Sequence, residues 1–410
     1  MTSTYASAGP VIPIHWSWQK LKHVATLKSG EGITSDDIEE AGEYPVFGGN
    51  GLRGYTSRFT HSGEFPLIGR QGALCGNINY ARGEFWASEH AVVVAVRPGY
   101  VVRWLGELLR SMDLNQYSQS AAQPGIAVEV VANLPIPVPP AEEQQLIADF
   151  LDRETARIDG LIAEKERMLA LLEEKRSALI SRVVTCGLDP NVFFKPSGQE
   201  WLEDIPAHWT VCHLKRTWRS SDYGLSESIR DEGGIAVLRM SCIVDGSVDA
   251  TKSGRISEVE GGLFLRRNDL LFNRTNSLDQ IAKVGLVDFD PEEPLTFASY
   301  LVRIRSNDRA IPVYLKYLLN STIFLSFARK NAIPAIGQAN LSPTRYGEIH
   351  VPVPPLREQM AIVAFLDHVA ETTTPLRQEI ARSIRRLKER RAAVISAAVT
   401  GQLPQEMMAP

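Results

Sequence analysis

The chain has 410 residues, 44% of them apolar and 22% charged, which is ordinary for globular protein and long enough for two to three domains. The longest apolar runs, such as Ala91 to Val96, are far too short to cross a bilayer, and no N-terminal stretch joins basic residues to an apolar core. A membrane span and a secretory leader are therefore not expected, and a cytoplasmic location is. The net charge of −4 excludes a uniformly basic polyanion binder; such a ligand would need clustered cations or charge supplied by partners. Four scattered cysteines, Cys75, Cys186, Cys212 and Cys242, lack the spacing of a zinc site and fit reduced thiols.

In chain order, an Ile-Pro-x-His-Trp marker (Ile12 to Trp16) precedes a stretch of short strands bounded by Gly and Pro: Tyr44 to Phe47, Phe65 to Gly69 and Ala91 to Val96. Gly49 to Gly54 spells G-x-G-x-x-G. A dinucleotide fingerprint needs a strand before it and a helix opening inside it. The following Tyr55 to Thr60 has no helical apolar spacing, so a flexible loop is the expectation. A short helix over Val102 to Arg110 leads to Pro137 to Pro140, where the pattern turns helical. After a second Ile-Pro-x-His-Trp (Ile205 to Trp209), strands are expected at Ile235 to Met240, Leu270 to Asn273, Val284 to Phe289 and Tyr300 to Ile304. A helix over Val313 to Phe327 then precedes Pro352 to Pro355 and a second helical stretch.

These two halves are one unit used twice. Residues 137–185 align with 352–400 at a constant offset of 215 without a gap, and 21 of the 49 pairs are identical. The identities include Pro-Val-Pro-Pro, Glu-Gln (Glu143 and Gln144, Glu358 and Gln359), Phe-Leu-Asp (Phe150 to Asp152, Phe365 to Asp367) and a closing Val-Thr. The stretches before them share little sequence, which predicts two divergent heads on duplicated supports. Gly160 and Pro375 share a column, and both disfavour a helix interior, so a kink or break is expected there. Beyond it, heptad spacing places Ile162, Leu169, Leu172 and Leu179 on one seam. Ile380, Ile384, Leu387 and Val394 form the matching seam. Two helices over 161–184 and 376–399 would each span ~36 Å, close to one turn of DNA. Their surroundings carry net charges of −4 (142–176) and +3 (357–391), which favours pairing them, antiparallel because a whole head intervenes. Such a pair either glues two domains together or acts as a rigid spacer between them. The expected fold is α+β, with two globular heads, a pseudo-two-fold internal repeat and an antiparallel pair of long helices.

Pro-Val-Pro-Pro-x-x-Glu-Gln, Phe-Leu-Asp and Ala-x-Ile-Ser-x-x-Val-Thr, each present twice, resemble the specificity subunit of type I restriction–modification enzymes. So does the join from Gly187-Leu188-Asp189-Pro190 through Trp201 to Trp209. Tyr44 to Gly51, Ile68 to Gly72, Asp269 to Ser277 and Gly337 to Ser342 resemble variants of that family's target recognition domains. The resemblance covers nearly the whole chain. It implies recognition domains at 1–140 and, with a linker, 188–355, helical spacers at 141–187 and 356–403, and a tail at 404–410. It also implies that each head reads one half of a bipartite site in double-stranded DNA. The helices would fix the unread gap and dock two methyltransferase subunits, with motor–nuclease subunits joining the full complex. No cofactor is expected in this chain; S-adenosylmethionine, ATP and Mg belong to the partners.

Arginine can read guanine, and asparagine or glutamine adenine. By residue type and local context the candidate base contacts are Arg70 and Gln71 in a glycine-flanked turn, and Arg274 and Asn276 after an apolar strand. Gln123 and Gln338, which share a column, join them with Asn340; ordinary loop polarity is the alternative for each. Lys215, Arg216, Arg219, Arg266 and Arg267 are candidate phosphate contacts or else solvated surface. Trp16 and Trp209 are expected to anchor a core rather than stack on bases. No adenine-methylation motif, Walker loop or Ser/His/Asp constellation stands in a supporting context, so no catalytic site is expected. A two-headed scaffold that binds proteins rather than DNA remains the alternative reading.

Overall fold

The structure, a computed structural model, describes residues 12–72, 74–118, 125–226, 234–257, 259, 262–335 and 337–409. They form two compact units: residues up to 166 together with 381 onward, and residues 167–380.

In the first unit, a six-stranded sheet runs in the order Ala25–Ser29, Ala91–Val96, His61–Gly69, Ile78–Ala87, Tyr44–Gly48, Gly51–Thr56. Every neighbour pair is antiparallel except Tyr44–Gly48 on Ile78–Ala87. Side chains alternate between faces along a strand. Ile68, Val92 and Val94 therefore pack under the helix Val102–Ser111 with Trp104, Leu105, Leu108 and Leu109, while Leu67, Val93, Ala81 and Phe85 build a second cluster. The G-x-G-x-x-G stretch is a two-residue hairpin, Gly49-Asn50, between Tyr44–Gly48 and Gly51–Thr56. The expected flexible loop is thus paired strand, and Gly51, the strand residue just after the turn, takes the left-handed φ of +98° that favours glycine.

The second unit repeats this ladder with different residues. Trp218–Tyr223, Leu301–Ser306, Leu270–Asn273 and Val284–Leu286 are antiparallel neighbours in that order. Ile235–Leu238 pairs in parallel with Leu295–Phe297 and antiparallel with Gly254–Ile256, as Tyr44–Gly48 does with its two neighbours. One long strand of the first head, Ile78–Ala87, is thus two shorter ones in the second, and the small hairpin Ile243–Val244/Ser247–Val248 is an addition. Each head places a glycine just after its first ladder strand. A Cβ on Gly30 would lie 2.1 Å from the Ala87 carbonyl oxygen, and one on Gly224 would lie 2.2 Å from that of Ala298. The single helix expected over Val313 to Phe327 is two, Pro312–Leu319 and Thr322–Lys330, because the Ser321 hydroxyl accepts the Phe324 N–H and starts a new helix.

The duplicated residues build one latch twice. Glu143 accepts a hydrogen bond from Trp16 Nε1 at 2.8 Å and meets His15 Nε2 at 2.6 Å; Glu358 does the same with Trp209 and His208 at 2.8 and 2.6 Å. Gln144 Oε1 accepts the N–H of Val101, at the start of Val102–Ser111, while its Nε2 donates to the Pro139 carbonyl, both at 2.9 Å. Gln359 repeats this with Ile311 and Pro354, at 2.8 and 2.9 Å. Asp152 accepts from Arg103 and Asp367 from the Tyr317 hydroxyl, each at 2.6 Å. The strand after each Trp pairs with the strand carrying Pro-Val: Ser17–Lys20 with Pro135–Val138, and Thr210–His213 with His350–Val353. Trp16 and Trp209 are buried, as core anchors should be.

Both long helices run without interruption, Ala141–Cys186 and Leu356–Val399, so the break expected at Gly160 and Pro375 is absent. An interior glycine costs only about 1 kcal/mol and a proline about 3, less than burial at the helix ends returns. Ile147 and Leu151 lie in the first unit's core with Ile395, Ala398 and Val399; Ile362 and Leu366 lie in the second's with Val183 and Val184. Their lengths, 46 and 44 residues, correspond to ~69 and ~66 Å. The expected ~36 Å and its match to one DNA turn are therefore corrected. Within each unit the segments are antiparallel and charge-paired: Asp159 with Arg391 (2.8 Å) and Glu166 with Lys388 (3.2 Å) in the first, Glu173 with Arg377 in the second. Ile162, Ile380 and Ile384 are buried, and Leu169, Leu172, Leu179, Leu387 and Val394 are half-buried, while Leu161, Met168 and Leu171 face solvent.

Removing a latch carboxylate orphans a buried indole N–H, at a cost of about 1–3 kcal/mol. Glu143→Ala and Glu358→Ala should each lower unfolding stability by that amount in equilibrium urea titrations. A change within about 0.5 kcal/mol, the range of ordinary surface substitutions, would show that the latch holds nothing.

Candidate nucleic-acid interface

In the second head the buried apolar strand Leu270–Asn273 ends at Arg274. The chain then forms the short strand Thr275–Asn276, which pairs antiparallel with Gln338–Asn340, itself paired with Ile333–Ala335. This small sheet unites residues more than sixty positions apart. Arg274 donates to Asn340 Oδ1 and to the Ser299 carbonyl, both at 3.4 Å, and its guanidinium lies 5.1 Å from the centroid of the Tyr223 ring. Asn340 Nδ2 donates to Thr275 Oγ1 at 3.0 Å. Asn276 Oδ1 accepts the Ser277 N–H at 2.8 Å, leaving its amide nitrogen without a partner among the described residues. Gln338 is exposed on the middle strand.

Chemically, this is a guanidinium oriented by an aromatic face and held by hydrogen bonds near the outer distance limit, so its donors can be exchanged for a ligand's acceptors. Arg274 Nε is buried with no hydrogen-bond partner among the described residues, a further unspent donor. Two neighbouring amide side chains add paired donor and acceptor groups. Tyr223 and Tyr300 are exposed beside them. Tyr223 carries no local sequence signal; ladder pairing with Val302 brings it under Arg274.

In the first head, Arg70 occupies the corresponding point, immediately after His61–Gly69. Its backbone is pinned: the N–H donates to the His90 carbonyl at 2.8 Å and the carbonyl accepts from Ile126 at 3.0 Å. Gln71 bridges to Gly125 and is exposed. Neither side chain has a hydrogen-bond partner among the described residues. Gln123 lies outside the described residues.

The candidate phosphate contacts do not all gather here. Arg266 and Arg267 lie before Leu270, at the opposite end of that strand from Arg274, and Arg267 pairs with Asp290 at 3.0 Å. Lys215 pairs with Glu348, whose carboxyl this hydrogen bond holds below the usual range; Arg219 lies 3.9 Å from Asp308. Arg216 and Arg266 are exposed with no ion pair among the described residues. Exposed pairs of this kind are weak, so a phosphate can compete for them.

The sequence pattern of the type I restriction modification DNA specificity domain matches residues 13–168 and 211–386, once in each half. This chain belongs to that family. It is similar to the type I restriction enzyme EcoprrI specificity subunit of Escherichia coli, 47% identical over 137 residues, which cover 32% of this chain and 34% of that one. The E. coli EcoBI specificity subunit is 22% identical over 430 residues, covering 97% and 89%. The match to the E. coli EcoKI specificity subunit, 25% identical over 281 residues, spans 59% of that subunit's length, and the EcoprrI match only about a third of its own. A solved chain from work on assembly and conformational transition of a type I R-M system shares the fold, with a TM-score of 0.72, 17% identity and coverage of 96% of this chain and all of that one. Among the described residues no helix is long and apolar enough to cross a membrane.

Proposed function

We propose that this chain selects DNA sequence for a type I restriction–modification complex and leaves the bond chemistry to partner subunits. Each head reads one half of a bipartite duplex site. The long helices fix the unread gap and dock two methyltransferase subunits, to which motor–nuclease subunits add. The observation that carries this reading is the convergence of Arg274, Asn276, Gln338 and Asn340 on one small sheet, in a chain whose family is defined by DNA specificity. An arginine at the corresponding strand end of the first head supports a reading site in both. The partners' positive charge would offset the chain's −4 when DNA is bound.

In this reading Arg274 offers two parallel donors to guanine, and Asn276 or Asn340 a donor–acceptor pair to adenine, each worth about 1–3 kcal/mol of discrimination. Arg274→Ala with Asn276→Ala should relax the half-site of the second head by roughly ten- to a hundredfold and leave the other half-site unchanged. Binding selections on randomised duplexes would read this out; equal relaxation of both half-sites would exclude independent heads.

A ruler made of helix predicts a second effect. Four residues added to each long helix extend it by ~6 Å, about two base pairs of duplex. The gap in the recognised site should lengthen accordingly while both half-sites stay the same. An unchanged gap would exclude the spacer role.

A further inference from the structure

A cleft of about 440 Å³ in the second unit gathers four cations that base reading does not use: Arg176, Lys283, Lys316 and Arg377. It lies where the two long helices meet the corner between Pro312–Leu319 and Thr322–Lys330, with the turn at Asp245 on its rim. All four cations are half-buried.

Their local compensation is incomplete. Arg176 and Arg377 share one carboxylate, Glu173, with Arg176 at 3.8 Å. Lys283 Nζ donates to the neutral amide oxygen of Gln280 at 2.8 Å, and Lys316 Nζ lies 4.7 Å from the centroid of the Tyr317 ring. Neither lysine has an ion pair among the described residues. Along the lining itself Asp245 is the one carboxylate set against the four cations, in a chain that is negative by four; Glu173, Asp279 and Asp367 stand just outside it, at Arg377, Lys283 and Tyr317. Like charges held together and partly desolvated are stabilised by an anion placed among them. The volume lies within the range of small-ligand sites, roughly 300–1,000 Å³.

The duplicated scaffold does not account for this cluster. Counting from the residues whose N–H groups meet the latch glutamines, Val101 and Ile311, Gly106 stands where Lys316 does. In the helix repeat, Ile162 stands where Arg377 does. Arg176 does have a counterpart, Arg391, so Lys316 and Arg377 are the cations that the repeat leaves to the second unit.

We propose that this cleft binds a phosphate-bearing anion. The phosphate comes either from the backbone of bound duplex, a source that rests on the function proposed above, or from a free polyphosphate, a source that does not. Ser177, Thr322 and Thr374 line the cleft with hydroxyls suited to phosphate oxygens.

The test uses the full chain and the double substitution Lys283→Gln with Lys316→Gln, which replaces no latch residue and leaves Arg274 in place. Calorimetric titration with inorganic tripolyphosphate at low salt should show binding that weakens at least tenfold in the double variant and survives Lys283→Arg with Lys316→Arg. In parallel, the dependence of duplex affinity on salt should lose about 0.9 in slope for each phosphate contact removed. Loss in the duplex measurement assigns the site to DNA backbone. Loss in tripolyphosphate binding alone assigns it to a free anion. If both measurements are the same in wild type and variant, the proposal is overturned. A wild-type chain that binds no duplex would sink the DNA reading yet leave the tripolyphosphate titration to judge the cleft.

Discussion

One carboxylate in each unit, Glu143 or Glu358, joins three parts of the chain that nothing else joins in the same way. It stands in the first turn of a long helix, accepts a buried indole N–H and meets an imidazole from the opening marker of the head. The adjacent glutamine spends its amide on the start of the head's short helix and on the carbonyl of the preceding proline segment. Hydrogen bonds to an ionised acceptor are about twice as strong as neutral ones, and a buried donor left without its partner is expensive. Head, proline strand and long helix therefore behave as one body within each unit. The residues that stay identical between the two halves include the Glu-Gln of this latch and the aspartate that follows it on each helix.

Outside the latch the constraint is looser, and the heads use that freedom. Both keep the same ladder, the same parallel strand pair and a glycine where two backbones nearly touch. A ladder needs only alternating apolar side chains of fitting volume, so its sequence can drift while its topology holds. What the ladder delivers in each case is a rigid strand end carrying an arginine. In the second head that arginine meets an aromatic ring and the Asn340 amide; in the first it leaves a glycine-rich turn. In the proposed function, different side chains on one frame are the physical basis for two different readings by one chain.

The repeat, the helical stretches and most strands were legible because each leaves a local periodic signal. Leu270–Asn273 and Ala91–Val96 are continuous apolar runs, and the opposite charges of the two helical regions meet as Asp159–Arg391 and Glu166–Lys388. The misread parts are those where packing overrides local preference. Gly160 and Pro375 sit inside unbroken helices anchored at both ends. The strand Ile78–Ala87 was invisible because Arg82, Gly83 and Glu84 interrupt its alternation at an exposed stretch. Of the candidate site, Arg274 and Asn276 were legible as polar residues closing an apolar strand. Tyr223 was not, because only strand pairing brings it to the guanidinium.

In the proposed function, one chain imposes two short sequence requirements on DNA. Sequencing that reports methylated adenines, applied to DNA from cells with and without this chain, is the decisive measurement. One motif made of two specified halves around an unspecified gap is expected, present only when the chain is present. Methylation that is unchanged by its loss, or a motif without a gap, would contradict it.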